Sequence, residues 1–349
     1  MTLVFDSSHP KDKNRTFRKV FWNEADQSEK IEIAVGYIDT ASIARLREYL
    51  RRNPTVSLKL LIGMQYLDGF TRPQLKAVRD LHSELKQRGT GQVLITESIR
   101  YHGKVYVFWS GGKVRSAYIG SGNLSAISDE GRQVFETGIV IDDDLEELVA
   151  YLKQRIFPLG TNLDEVASFS LKQSPSPLEG MDDATPTGQA PPPELISDVQ
   201  PTYQFELPLK TETKSNLNVF FGKGRVNKKT GRELPRPWYE VEIIVPKDIT
   251  SQPGYPVAGK VFTVWTHDGF SFECKISGAN RKNFRSAKSL STLGSYIKGW
   301  LESEELLAPG QMVTDEILRL YGRDTLGLYY FEETNRWILD FRADGNPNK

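Results

Sequence analysis

The chain has 349 residues, 38% of them hydrophobic and 11% aromatic, which excludes a disordered polymer and exceeds what one comfortable core holds, so two globular units are expected. Basic and acidic side chains balance at 45 each, so bulk charge names no polyanionic partner, and the single cysteine, Cys274, excludes internal disulfides and cysteine-rich zinc sites. No apolar run reaches the roughly 18 residues of a membrane span, and the N-terminal stretch lacks a basic leader with an apolar core, so the expected location is the cytoplasm.

From residue 30 to 144, short apolar runs alternate with helix-like stretches. IEIAVGYI (31–38) reads as a buried strand. The helix after it has Asp39 or Thr40 as N-cap and Pro54 beyond its end. A second strand is expected over 56–64. A helix follows over 71–89, with proline near its start and glycine at its end. GQVLITE, KVYVFW, SAYIGS and ETGIVID complete an α/β layer architecture. Residues 171–202 are proline-rich with almost no aliphatic periodicity, and residues 161–200 carry one basic residue against seven acids. They read as an extended, mobile connector. Beyond them the rhythm is strands: 238–246, 260–277 with a turn at Asp268-Gly269, and 326–341 with a turn near Thr334-Asn335. Helices are expected over 289–302 and 313–322, giving a small barrel with a couple of helices.

The chemistry concentrates in RYHGKVYVFW (100–109) and YIGSGNLSAIS (118–128). In a strand, residues i and i+2 share a face, so His102 and Lys104 would present imidazole and ammonium side by side. With Ser121, Asn123 and Glu136 they suit attack on a phosphodiester. An imidazole is the nucleophile, a lysine, an amide and a hydroxyl serve the non-bridging oxygens, and a carboxylate orients the imidazole. Cationic side chains do the electrostatic work, so no metal or other cofactor is expected. His9, His82 and His267 read as structural or solvent-facing.

HGK followed by GSGN resembles the His-x-Lys-x4-Asp and Gly-Ser-x-Asn motif of the phospholipase D superfamily. Trp109 stands where the motif has aspartate, a departure shared by the superfamily's nucleases, which place a glutamate near the position of Glu136. The resemblance implies that His102 is a phosphohistidine nucleophile, that Lys104 and Asn123 bind phosphate with help from Ser121, and that Glu136 orients His102. The superfamily brings two motif copies together and this chain has one, so a homodimer through the first domain is implied.

Two basic clusters follow residue 200. The first carries Lys223, Arg225, Asn227, Lys228, Lys229, Arg232, Arg236 and Trp238, and the second Asn280, Arg281, Lys282, Asn283, Arg285, Ser286 and Lys288. Charges of one sign on two connecting segments suit a clamp on a phosphate backbone, with Asn227, Asn280, Asn283 and Arg236 as candidates for base edges. No Gly-x4-Gly-Lys-Ser/Thr sequence occurs, so no ATPase is expected in this chain. The arrangement resembles the DNA-binding pseudobarrel of the plant B-three type. The whole is similar to the NgoFVII/NgoAVII family of type II restriction endonucleases, which is related to BfiI. The resemblance implies a phospholipase D-like α/β/α nuclease and dimerisation domain (1–168), a proline-rich linker (169–200) and a mainly-β B-three-like domain (201–349). The implied activity is sequence-specific, metal-independent cleavage of double-stranded DNA, with a companion ATPase and cognate methyltransferase as possible partners. The alternatives are a phosphatidyl transferase and a DNA-binding regulator without catalysis.

Overall fold

The computed structural model describes residues 1–6, 13–128, 135–197, 199–227 and 229–343. The chain divides into two units, Met1–Gln173 and Ser174–Lys349.

In the first unit the apolar alternation becomes one mixed sheet. Its strands are β1 (Thr2–Phe5), β2 (Lys30–Val35), β3 (Ser57–Ile62), β4 (Gly91–Ile95), β5 (Val105–Ser110), β6 (Lys113–Gly120), β7 (Thr137–Ile141) and β8 (Thr161–Asn162), in spatial order β1-β7-β6-β5-β2-β3-β4-β8. β2, β3 and β4 run parallel, while β5, β6, β7 and β1 extend the sheet antiparallel from β2. The helices are α1 (Phe17–Ala25), α2 (Thr40–Arg52), α3 (Gln65–Asp68), α4 (Arg72–Arg88) and α5 (Leu145–Tyr151).

Local chemistry sets the helix ends. Asp39 is the N-cap of α2, accepting the Ser42 N–H at 2.6 Å, and Thr71 caps α4, which stops at Gly89 with φ +65°. Strand alternation then sorts the core into two layers. Ile31, Ile33 and Val35 pack with Phe21, Leu46 and Val78 of α1, α2 and α4. Ala34, Val105, Val107 and Trp109 face Leu145 and Val149 of α5. The result is an α/β/α sandwich, as expected.

The second unit contains β9 (Ala184–Pro186), β10 (Tyr203–Pro208), β11 (Arg225–Val226), β12 (Glu233–Leu234), β13 (Ile243–Ile244), β14 (Val261–Thr266), β15 (Phe270–Ser277), β16 (Asn283–Ser286), β17 (Thr325–Phe331) and β18 (Arg336–Asp340). Its helices are α6 (Lys247–Thr250), α7 (Leu290–Ser303) and α8 (Asp315–Tyr321). The order β10-β17-β18-β14-β15-β16-β13 makes a near-closed, barrel-like sheet, antiparallel except between β14 and β18. Leu293, Tyr296, Ile297 and Leu301 of α7 bury against Val264, Phe272, Cys274 and Leu328. Among the described residues no helix is long and apolar enough to cross a membrane.

Three expectations change here. The proline-rich stretch is not wholly a free connector: Leu178 is fully buried in the second core, Ala184–Pro186 pairs with β15, and Leu195 packs on Tyr329 and Ile338. Proline-rich composition removes ladder donors but does not prevent docking on an edge strand. The strand expected over 238–246 shortens to Ile243–Ile244, because α7 takes the preceding backbone: Lys298 Nζ donates to the Trp238 carbonyl at 2.7 Å. The first basic cluster carries its own exposed two-stranded ribbon, β11 with β12.

Candidate active site

The sheet topology brings distant residues to one end. Gly36, Gly63 and Thr96 follow parallel β2, β3 and β4, Lys104 precedes antiparallel β5, Ser121 follows β6, and Glu136 precedes β7. All six therefore leave the sheet at the same edge, the end where open α/β sheets hold their ligands.

His102 and Lys104 meet there, although not through strand alternation. β5 begins only at Val105, and Tyr101–Lys104 is irregular backbone anchored from below. The Tyr101 N–H donates to the Gly63 carbonyl at 3.2 Å, and the Thr96 hydroxyl donates to the same carbonyl at 2.7 Å. A Cβ on Gly63 would overlap the Tyr101 carbonyl, so the histidine segment rests on a bare glycine. Lys104 Nζ donates to the His102 carbonyl at 2.7 Å and lies 3.2 Å from both ring nitrogens. The imidazole is exposed and Lys104 is buried. Burial lowers the Lys104 pKa, and the negative charge of Glu136 opposes that shift.

The Gly-Ser-Gly-Asn turn closes the other side. Asn123 Oδ1 accepts the Tyr37 N–H at 3.2 Å, which commits the amide oxygen and leaves Nδ2 as the donor. Tyr106 donates to the Gly122 carbonyl at 3.0 Å, and Gly120 and Gly138 lie against the Tyr118 hydroxyl with no room for a Cβ. Two cross-strand tyrosines, Tyr106 of β5 and Tyr118 of β6, thus carry the turn from beneath. Ser121 accepts the Thr137 N–H at 3.0 Å and donates its hydroxyl to Glu136. Glu136 accepts the Ser121 hydroxyl through Oε2, and its charge acts on Lys104, which lies against the His102 ring.

Tyr37, Gly36 and Asp68 belong to this place and were absent from the sequence expectation. The Tyr37 ring stands edge-on to His102, with centroids 6.0 Å apart, and its hydroxyl donates to Asp68. A Cβ on Gly36 would come 3.3 Å from His102 Cδ2. No spacing rule links residue 37 to residue 102, so the one available signal was the β2 end, where the strand must stop at a glycine. His82 is buried on α4 and accepts the Val93 N–H through Nδ1 at 3.0 Å, and His267 Nδ1 lies 2.5 Å from the Tyr296 hydroxyl. His9 lies outside the described residues. Among the described residues no three His, Cys, Asp or Glu side chains gather as a metal-ligand group.

In the second unit, the basic residues divide by what they touch. Lys223, Lys229, Arg232, Asn280 and Lys282 are exposed. Arg225 and Arg236 both reach the buried Glu240 Oε1 at 2.6 Å. Asn227 Oδ1 accepts the Lys229 N–H at 2.9 Å and so closes the ribbon turn. Lys288 pairs with Glu273 at 3.4 Å, and Asn283 donates to Glu242 at 3.0 Å. Arg281 donates to the Thr250 carbonyl, and the buried Arg285 Nε has no hydrogen-bond partner among the described residues. Ser286 is buried and bonds the Ser289 carbonyl, while Trp238 donates to Glu302 at 2.7 Å and lies 4.0 Å from Lys298 Nζ. Ser286 thus faces the interior, and Trp238 is half-buried against the second core. Lys228 lies outside the described residues.

Residues 15–167 match the family described as the NgoFVII restriction endonuclease N-terminal PLD domain, and residues 195–332 match the NgoFVII C-terminal B3-like DNA-binding domain. No curated protein matches the chain. Among solved structures, a phosphatidylserine synthase from Haemophilus influenzae is 16% identical over 46% of this chain, with a TM-score of 0.35, and the chain spans 39% of its length. NucT from Helicobacter pylori is 15% identical over 46% of this chain and 97% of its own, with a TM-score of 0.33. The phospholipase D family member Nuc from Salmonella typhimurium is 14% identical over 46% and 95%, also with a TM-score of 0.33. These structural likenesses are too low to bear on activity. The two family matches lie on different units and in the family's own order, and on them the chain belongs to the NgoFVII restriction endonuclease family, site-specific nucleases of the phospholipase D superfamily with a B3-like DNA-binding domain.

Proposed function

We propose that this chain is a type II restriction endonuclease that hydrolyses double-stranded DNA without a metal, through a covalent phosphohistidine on His102, as a cytoplasmic homodimer. The observation that carries the reading is the meeting of His102, Lys104 and the uncommitted Asn123 Nδ2 at one end of the sheet. That is one nucleophile flanked by two kinds of donor for phosphoryl oxygens.

The chemistry runs in two displacements. A neutral His102 nitrogen attacks phosphorus, a P–N bond forms, and the P–O bond to the leaving sugar oxygen breaks. That oxygen needs a proton, and His102 of the partner subunit is the acid, since His82 and His267 are engaged elsewhere. The same imidazole then takes a proton from water, whose oxygen attacks phosphorus and expels His102. Lys104 and Asn123 Nδ2 neutralise or hydrogen-bond the non-bridging oxygens throughout. Ser121 and Glu136 hold the turn and the charge of Lys104, and through Lys104 they act on the imidazole.

With two DNA-binding units and one composite site, the strands are cut one after the other. Lys223, Arg225, Lys229, Arg232 and Lys282 contact phosphates in this reading, and Asn227, Arg236, Asn280 and Asn283 supply base contacts. A companion ATPase and a cognate methyltransferase are partners in the same proposal.

The test is incubation of the protein with plasmid and phage DNAs in EDTA, beside His102→Ala. Discrete fragments from the wild type and a loss of at least about 1,000-fold in the variant support the reading. Cleavage that needs added metal, or that survives in His102→Ala, overturns it. Intact DNA with retained binding favours the regulator without catalysis.

A further inference from the structure

Resting on the phosphohistidine reading, the geometry points to a positioning pair, Tyr37 with Asp68, that sets the orientation of the His102 imidazole and the Asn123 amide together. Three separate contacts converge on Tyr37. Its ring edge stands against His102, its N–H holds Asn123 Oδ1 at 3.2 Å, and its carbonyl accepts the Leu124 N–H at 3.4 Å. One residue thus touches both the nucleophile segment and the phosphate-binding turn. Its hydroxyl donates to Asp68 at the end of α3. This hydrogen bond is the largest cause of a raised Tyr37 pKa, so the phenol stays protonated as the donor.

Asp68 in turn sits on a fixed segment. The Phe70 N–H donates to the Ser170 carbonyl at 3.1 Å, and the Lys172 N–H donates to the Phe70 carbonyl at 2.8 Å. The backbone leaving the first unit thereby braces the segment that holds the tyrosine. Among the described residues no carboxylate bonds the His102 ring, so its rotamer is held by its neighbours: Lys104 Nζ on the nitrogen side, and Tyr37 and the bare Gly36 backbone against the ring.

The test uses bis(4-nitrophenyl) phosphate, a diester that bypasses DNA recognition, with the full-length protein. Tyr37→Phe and Asp68→Ala should each lower kcat by about fivefold to twentyfold with KM within twofold, because the ring against His102 loses its anchor while the backbone N–H of residue 37 still holds Asn123 and the phosphate donors are kept. Asp68→Asn, which still accepts the phenol proton, should restore kcat to near wild type. The double variant should be no slower than either single one, as expected for one coupled pair. A kcat within twofold of wild type in Tyr37→Phe overturns the pair, as does a double variant whose losses multiply. Melting temperatures separate a merely structural role, which would lower stability and leave kcat unchanged. A wild type inert to this diester and to DNA, or an active His102→Ala, instead overturns the phosphohistidine reading on which the pair depends.

Discussion

Leu178→Ala distinguishes a free connector from a built-in strap. In the proline-rich stretch, Leu178 is fully buried in the core of the second unit. Its N–H donates to the Ser176 hydroxyl at 3.1 Å, and that hydroxyl donates to Asp268 at 2.6 Å beside the β14–β15 turn. Pro177 fills the space over Gly299 of α7. Removing three buried carbons loses roughly 1.5–3 kcal/mol of transfer energy, and the cavity raises the total to about 2–5 kcal/mol. For a unit of this size each kcal/mol moves the melting temperature by about 2–4 °C, so a fall of roughly 5–15 °C is expected. Scanning calorimetry of the full chain, beside Glu179→Ala at the neighbouring exposed position, reads it directly. The control should move by less than 0.5 kcal/mol, or about 2 °C. Should Leu178→Ala melt with its control, the strap would be a tether and its buried contacts would be energetically empty.

Two further predictions concern the base of the first basic cluster. Burial lowers the Lys298 pKa to about 8, so the unfolded chain holds this proton more tightly than the folded one. The cost of the buried charge is fully present below pH 8 and is relieved as pH rises toward the ordinary lysine value, so stability from this group increases with pH. The gap in unfolding free energy between wild type and Lys298→Met should shift in favour of wild type by on the order of 2–3 kcal/mol from pH 7.5 to 10.5. A gap independent of pH would remove the argument. Glu240 neutralises both Arg225 and Arg236, so Glu240→Ala frees two guanidinium groups for phosphates. The slope of log affinity for random duplex DNA against log salt should steepen by about one to two, and an unchanged slope would mean that neither arginine contacts a phosphate of non-specific duplex.

The first unit was readable because its signals are local. Asp39, Thr71 and Gly89 mark helix ends by their own hydrogen bonds or backbone sign, and β2 and β3 are short apolar runs that no helix period fits. His102, Lys104 and Asn123 were readable as a motif, but their meeting depends on Gly63 and Thr96, which lie 33 residues apart and hold one carbonyl between them. Tyr37 was invisible for the same reason: its contacts with His102 and Asn123 exist only once β2 and β5 pair. In the second unit, composition misled. Proline content hid Leu178 and Leu195, and the basic runs around Ser286 and Trp238 looked uniformly solvent-facing although Ser286 is buried and Trp238 packs half-buried on the second core. Glu240, one acid after a run of bases, is the residue that decides which arginines stand free.

Trp109 is the place where the active-site motif departs from its aspartate, and the fold accounts for the departure without a lost catalytic group. Along β5, Tyr106 and Phe108 face the α1–α2–α4 layer, while Val105, Val107 and Trp109 face α5. Residue 109 is four positions beyond Val105, about 13 Å from the end of the sheet where His102 stands. A side chain there cannot reach the imidazole whatever its chemistry. Trp109 instead donates its indole N–H to the buried Glu32 at 3.0 Å. Lys30 pairs with Glu32 at 2.8 Å and lies 4.6 Å from the indole centroid, and Lys153 lies 4.5 Å from it. Glu32 is tolerated in the sheet because a cation and an N–H both answer it. An aspartate at 109 would replace that N–H with a second negative charge, so in this chain Glu32 and Trp109 form one compatible pair, and what the substitution changes is the stability of the sheet rather than the chemistry at its end.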